Sequence, residues 1–318
     1  MRNPFKKKEE KCVGLRDEHI PTGSFSRITV EPQITLQKVK HLDLLLKHFL
    51  YLIYTAFLKD EDAVSGLIYA WQERGKSTIA LSVEHTGLLI EDDITAYGLA
   101  RRLNELSKDG KLKQFHHLLI ADLEKVSSRT RTVKNELRSF LQTLMFDGVQ
   151  RIDTYNIHLD LPKRLKMAVI ACVTPDIFNE KSAFRRLGFL SRLIPFSFDY
   201  TDNVIYEIIK FIGTLEEDRL RIQTIKVLTR KKAEVAISPL YLSWLDEKAK
   251  TLAKTIDDFC PYKKADEQRL IGSRAKKLLT CYVKAIALEM GKSSVDEAVW
   301  QEFETMFGYF NFDMKELP

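Results

Sequence analysis

Gly75-Lys76-Ser77-Thr78 follows an apolar run, Val64–Trp71, and precedes a segment able to form a helix. A loop that cradles phosphate needs a tight turn, backbone N–H groups facing the anion, a lysine for the β- and γ-phosphates and a hydroxyl for Mg²⁺. Gly75, Lys76 and Ser77 supply the last three of these, and Thr78 completes the segment. Ala70 stands where such loops carry their first glycine, and Trp71, Gln72, Glu73 and Arg74 are bulky where small residues let the backbone wrap the phosphate. Glu73 adds a negative charge near the anion. The other reading of the same residues is a solvated turn containing Gly-Lys-Ser.

Three further stretches end in groups suited to phosphoryl chemistry. His116–Ala121 is an apolar run closed by Asp122-Leu123-Glu124. One carboxylate there can hold the water shell of a magnesium ion, and a second can polarise an attacking water. The alternative is a buried strand running into an acidic turn. Met167–Val173 is a buried run ending at Thr174, whose hydroxyl can orient water, although many core strands end this way. Arg185–Leu193 is basic and leads into an apolar stretch. An arginine such as Arg192, supplied in trans, can neutralise transition-state charge; a surface cluster or contact with nucleic-acid phosphate is the competing account. Arg274 opens a segment with an apolar stripe, Leu278, Leu279, Val283, Ala285 and Ala287, and on this reading alone is equally a surface charge.

These groups must be positioned by something. The chain has 318 residues, enough for two domains and a well-buried core. Short apolar runs at Val64–Trp71, Thr86–Ile90, His116–Ala121 and Met167–Val173 alternate with helical segments, notably Thr95–Leu106 and Arg131–Met145. Buried strands alternating with helices predict an α/β fold, a parallel sheet covered on both faces. Ligands bind such sheets at the carboxyl ends of the strands, where Asp122 and Thr174 stand. Before this core lie a polar arm over 1–24, a strand over Ser24–Thr35 and a long helix over Gln37–Phe57. After it, Asn203–Ile212, Leu240–Phe259, Leu270–Met290 and Val295–Phe307 read as helices, with a basic, partly β stretch at Arg221–Ile237. Serine is read as the cap of the last helix, at Ser293-Ser294-Val295-Asp296-Glu297.

Composition excludes little. The net charge of +6 is compatible with a nucleic-acid partner without requiring one. Four scattered cysteines without a C-x-x-C pair read as reduced thiols of an intracellular, cytoplasmic protein. His116-His117 points to opposite faces of a strand, which argues against a shared metal. No apolar run is long enough to span a membrane, and the first ten residues lack the apolar region of a signal peptide.

Taken in order, Gly-Lys-Ser, an Asp-x-Glu strand end, a strand ending in Thr, Leu-Ser-Arg and a helical region opened by Arg274 resemble the AAA+ ATPase superfamily. Within it the chain looks most like the minichromosome-maintenance helicase branch. Phe189-Leu190-Ser191-Arg192 is similar to that branch's arginine-finger segment, and Arg274 with the stripe behind it resembles its lid helix. Gly148–Lys166 sits where that branch carries a DNA-contacting β-hairpin. The resemblance covers roughly Ala63–Met290. It implies an N-terminal region over 1–59, a three-layer αβα P-loop/AAA+ core over 60–200 and a helical lid over 201–318. It implies ATP and Mg²⁺ as cofactors, with Gly75, Lys76, Ser77 and Thr78 on the nucleotide, and Ser77 and Asp122 on the metal. Glu124 would activate water, Thr174 would be sensor 1, Arg192 the finger and Arg274 sensor 2. Arg151, Lys163, Arg164 and Lys166 would meet nucleic acid. Glu124 departs from the family, where the acid directly follows the aspartate, and Thr174 replaces the commoner Asn.

The expectation is an oligomeric ATPase acting on DNA: a helicase, helicase loader or remodeller in replication or on a mobile genetic element. Its expected partners are DNA, further copies of itself in a ring or filament, and other replication or recombination proteins, with no membrane. A non-hydrolysing AAA+-like scaffold for DNA or protein is the alternative. A nuclease or recombination partner on a similar fold is a third reading.

Overall fold

The computed structural model of the chain describes residues 40–126, 129–155, 157–176, 178–179, 182–211, 225–227, 230–260 and 272–314. The polar arm and the strand expected before Thr35 lie outside them. Helix α1, Lys40–Tyr54, continues into a 3-10 turn at Thr55–Phe57. It is apolar on most faces because it is buried on most faces: Leu45, Phe49, Leu52 and Ile53 are all inaccessible or nearly so. Gly66 of the next strand lets α1 approach. A Cβ on Gly66 would lie 2.3 Å from Leu52 Cδ1.

Among the described residues nine strands follow: β1 Ser65–Tyr69, β2 Val83–Glu84, β3 Leu88–Glu91, β4 His117–Ile120, β5 Val149–Asp153, β6 His158–Leu165, β7 Ala168–Val173, β8 Leu193–Ser197 and β9 Ile225–Lys226. Between and after them run α2 Lys76–Ser82, α3 Ala96–Lys108, α4 Arg131–Phe146, α5 Leu187–Leu190, α6 Asp202–Phe211, α7 Pro239–Phe259, α8 Ser273–Glu289 and α9 Glu297–Phe307. Five strands form a parallel sheet in the order β3-β4-β7-β1-β8. The fold is α/β, with a parallel sheet and packed helices compatible with a three-layer αβα core. β1 lies next to β7, and β4 lies one strand further out.

The four apolar runs of the sequence become β1, β3, β4 and β7. The fifth strand, β8, replaces what read as an apolar end to the core. Pro195 sits in its middle and cannot donate to a ladder, which suits an edge position. The open edge is covered by the chain's last described residues. Ser197 N–H donates to Tyr309 O at 2.9 Å, and Ser197 Oγ donates to Asn311 Oδ1 at 2.5 Å.

Between α4 and β7 the chain makes an antiparallel hairpin, β5–β6, with Asp153 opposite His158 and Val149 opposite Leu165. The register is broken between Val149 and Arg151, so Lys163 and Arg164 occupy a bulge. In the C-terminal part, α8 packs on α1, α7 and α9. One buried cluster runs from α1 through the sheet to α9. The cap of α9 is Asp296, which accepts Val299 N–H at 3.0 Å, and not the preceding serines. Those serines are engaged elsewhere: Ser294 bridges to Ala236, and Ser293 O accepts Ala236 N–H at 2.9 Å.

Candidate functional site

β1 delivers the chain into a loop, Ala70–Gly75, that ends at α2. Gly75 has φ 75°, a conformation glycine adopts without strain. Glu73 has φ 60°, which costs a non-glycine residue free energy and marks a constrained turn. Lys76 is buried and folds back into the loop. Its Nζ donates to Ala70 O at 2.7 Å and also to Trp71 O. The ammonium therefore sits inside the ring of backbone that it would share with an anion. Arg74 anchors the outer rim through Asp199 at 2.7 Å, and Tyr200 Oη donates to Arg74 O at 3.0 Å.

The neighbouring strand ends close on this loop. Ala70 N–H donates to Val173 O at 3.4 Å, which sets Thr174 beside the start of the loop. Thr174 is buried, and its Oγ1 has no hydrogen-bond partner among the described residues. Ser77 Oγ donates to Ala121 O at 2.8 Å, one residue before the half-buried Asp122. Cys172 lies beneath them. Burial pushes its thiol up to about 12, while Lys76 pulls it down and Asp122 pushes it further up, so both charges act on one sulfur. Lys76, Ser77, Asp122 and Thr174 thus gather at the carboxyl ends of β1, β4 and β7. Thr78 faces solvent. Glu124 lies in a 3-10 turn, Leu123–Val126; its side chain is outside the described part of the molecule.

The hydroxyl of Ser77 and the carboxylate of Asp122 fit a magnesium ion that takes the rest of its shell from phosphate and water. Among the described residues, no three His, Cys, Asp or Glu side chains form a metal cage. His116 and His117 do not point to opposite faces as expected: His116 precedes β4, and their Nδ1 atoms lie 2.6 Å apart. Burial holds His116 down to about 4 and His117 well below the usual histidine range.

The two arginines lie at the other end of the sheet. Arg192 immediately precedes β8. Its guanidinium carbon is 5.0 Å from the centre of the Phe146 ring, and it donates to Gly188 O. Its Nε is buried without a partner among the described residues. Arg274, at the start of α8, lies 4.8 Å from the same ring and donates to Ser191 Oγ at 2.8 Å. Burial first, and then Arg274, lowers the pKa of Arg192. A cleft of about 70 Å³ opens between them, walled by Val64, Ser65 and Met145. Its one carboxylate, Asp62, is taken by two lysines, Lys166 at 2.8 Å and Lys277 at 3.1 Å. Neither arginine has a carboxylate partner among the described residues.

Ser65 lines this cleft and Ala70 begins the loop. Five residues of extended strand separate them, about 16 Å. Arg192 and Arg274 therefore cannot meet the Lys76 site within one chain without unravelling β1. The four expected nucleic-acid residues also divide. Arg151 lies on the hairpin and Lys163 and Arg164 in its bulge, all exposed, whereas Lys166 is tied to Asp62 beside the arginines.

Phe146, Asp199 and Tyr200 are residues of these sites that motif reading overlooked. Asp199 and Tyr200 follow β8, so recognising that strand would have put them at the carboxyl end beside the loop. Phe146 carried no signal beyond its place at the end of a helix. Comparison with protein-family models and with curated proteins gives no match to the chain.

Proposed function

We propose that this chain is an AAA+-type ATPase acting on DNA, with ATP bound between two copies. The observation that carries the reading is the division of the site. An anion-suited loop with a hydroxyl and a carboxylate occupies one end of the sheet, and two guanidinium groups that form no ion pair among the described residues occupy the other. Stacked head to tail, heterologous contacts of this kind generate rings or filaments.

In this reading Lys76 releases the carbonyls of Ala70 and Trp71 and binds the β- and γ-phosphates. Ser77 and Asp122 would hold a magnesium ion, which would supply positive charge against the phosphates. Thr174 directs its free hydroxyl at the attacking water, and Glu124 accepts the proton. Arg192 and Arg274 of the adjacent copy stabilise the charge that develops on the transferred group. The strand order supports the same reading, because β1 stands beside the strand ending in Thr174 and one strand from the Asp122 strand. The test is ATP turnover with Mg²⁺, with and without single- and double-stranded DNA, for the wild type and Lys76→Ala. Turnover in the wild type that is lost in the variant supports the proposal; equal, near-zero rates sink it.

One observation favours a second reading, a non-hydrolysing scaffold of the same fold. Lys76 is buried and already bonded to its own loop, and Glu73 stands on the rim. Calorimetric titration with ATP separates the two: micromolar binding argues against the scaffold.

A further inference from the structure

At the carboxyl end of β1 an aromatic stack stands beside the phosphate loop. Phe312, one of the residues that cover the β8 edge, lies face to face on Phe259 at the end of α7, with ring centres 3.8 Å apart and planes 4° from parallel. Tyr69 closes one side, its ring centre 5.6 Å from that of Phe312 and its plane at 78° to it. We propose that this slot is the subsite for the purine base of the nucleotide, and that Phe312 fills it in the resting chain and must leave for the base to enter. The inference rests on the ATP part of the function proposed above and names what holds the base and what keeps it out.

Aromatic side chains favour offset or edge-to-face pairs, because a sandwich sets like quadrupoles against each other. With centres 3.8 Å apart and planes 4° from parallel, the two phenyl rings lie almost directly over one another, the arrangement such rings favour least. A nucleobase is equally flat but carries polar substituents, and it stacks readily on an aromatic face. The guanidinium carbon of Arg185 lies 4.0 Å from the Phe259 centre, and the Phe312 ring leaves it only the opposite face. Arg185 also donates to Phe259 O at 2.6 Å and to Phe178 O at 3.3 Å. Phe259 is thus a shelf backed by an anchored cation, open to a second ring on the Phe312 side alone. The shelf is close to the phosphate loop. Tyr69, which borders it, directly precedes Ala70, whose carbonyl accepts from Lys76 Nζ at 2.7 Å.

Phe312 can leave without dismantling the sheet edge. Tyr309 O and Asn311 Oδ1 are the groups bound to Ser197, and the rings of Tyr309 and Phe310 pack on Phe196 and His48. Beyond Asn311 the hold is slight. Asp313 N–H donates to Asn311 Oδ1 at 3.0 Å, and Met314 has φ 47°, a conformation that costs a residue with a side chain free energy. A swing about Asn311 gives up that hydrogen bond, relieves Met314 and frees the slot, while the contacts to Ser197 stay. Exposing the Phe312 ring opposes the swing, and the base covers the shelf in its place. The plug therefore lowers nucleotide affinity without abolishing it.

The test is calorimetric titration of the full chain with ATP, adenosine and inorganic triphosphate in the presence of Mg²⁺. Phe312→Ala is expected to bind ATP about tenfold more tightly than wild type, the size of one base stack, and to gain as much for adenosine. Its affinity for triphosphate, which meets only the loop, is expected to be unchanged. Phe312→Leu keeps apolar volume without a flat face and is expected to shift ATP binding in the same direction; thermal melting verifies that each variant folds. In the wild type, hydrogen exchange at the Asp313 amide is expected to rise with ATP and not with triphosphate. Triphosphate binding with ATP affinity unchanged or weakened in both variants, or ATP binding to wild type without added exchange at Asp313, overturns the inference and spares the loop. Tighter adenosine binding in the variants without any triphosphate binding establishes the slot and removes the loop from the nucleotide site. No binding of any of the three compounds overturns both.

Discussion

The two ends of the central sheet are built on opposite principles. At the carboxyl ends of β1, β4 and β7, the polar groups are packed into one another: Lys76 on loop carbonyls, Ser77 on Ala121 O, Arg74 on Asp199. At the amino ends of β1 and β8, two guanidinium groups lie on the face of Phe146, and the nearby carboxylate is shared by two lysines. The first end satisfies most of its polar groups internally, Thr174 Oγ1 being the exception. The second displays two guanidinium groups that make no ion pair with a carboxylate among the described residues, Asp147 acting on Arg192 only from a distance. On the reading proposed above, each end is half of one site shared between two copies.

The largest expected effects come from removing either half. Arg192→Ala is expected to lower ATP turnover on the order of 10³-fold, the size of an arginine-finger effect, while leaving ATP binding by calorimetry within severalfold. Lys76→Ala is expected to lose turnover and ATP binding together. If Arg192→Ala weakens binding as much as Lys76→Ala does, the contrast between the two ends fails.

Acid is expected to weaken the fold without favouring either end. Burial holds His48 down to about 3 and His116 down to about 4. Both are neutral in the folded chain, and the unfolded chain binds more protons below its ordinary histidine pKa. Stability is thus full above about pH 6.5 and falls as pH drops toward 4, by on the order of 2 kcal/mol per histidine at pH 5. Melting temperatures from pH 7.5 to 5 check the sign; a rise in stability on acidification contradicts it.

Smaller effects test what each end leans on. Phe146→Ala removes the ring beneath both arginines and is expected to cost about 1–2 kcal/mol of stability. It should lower turnover with little change in ATP affinity, the pattern of the arginine end alone. Arg74→Ala breaks the partly buried pair with Asp199 and is expected to cost about 1 kcal/mol. It should weaken ATP binding and spare the arginine end. Differential scanning calorimetry and titration of the two variants show whether the ends respond separately.

Much of the closed end was legible before any coordinates. β1, β4 and β7 are continuous apolar runs because they are buried on both faces; β4 and β7 lead to Asp122 and Thr174, and β1 leads into the loop that carries Lys76. β8 was not, since Leu193–Ser197 is short, interrupted by Pro195 and lacks the alternation that marks a strand. Only its edge position explains how proline is tolerated. Arg192 and Arg274 were legible as motifs in series, but their meeting over Phe146 was not. It joins residues from α4, the turn before β8 and α8, and no local pattern reports a contact so distant in sequence. The cap of α9 misled for a local reason: the serines that precede Asp296 spend their backbone on pairing with Ala236.

The claim that the two ends belong to one site shared between copies is tested most directly by mixing two inactive variants. Lys76→Ala keeps its arginines, and Arg192→Ala keeps its loop, so an interface between them contains one complete site. Mixed in equal amounts, they are expected to recover a substantial fraction of wild-type ATP turnover that neither has alone. A mixture as inactive as its components, with wild-type chain active under the same conditions, would contradict the account.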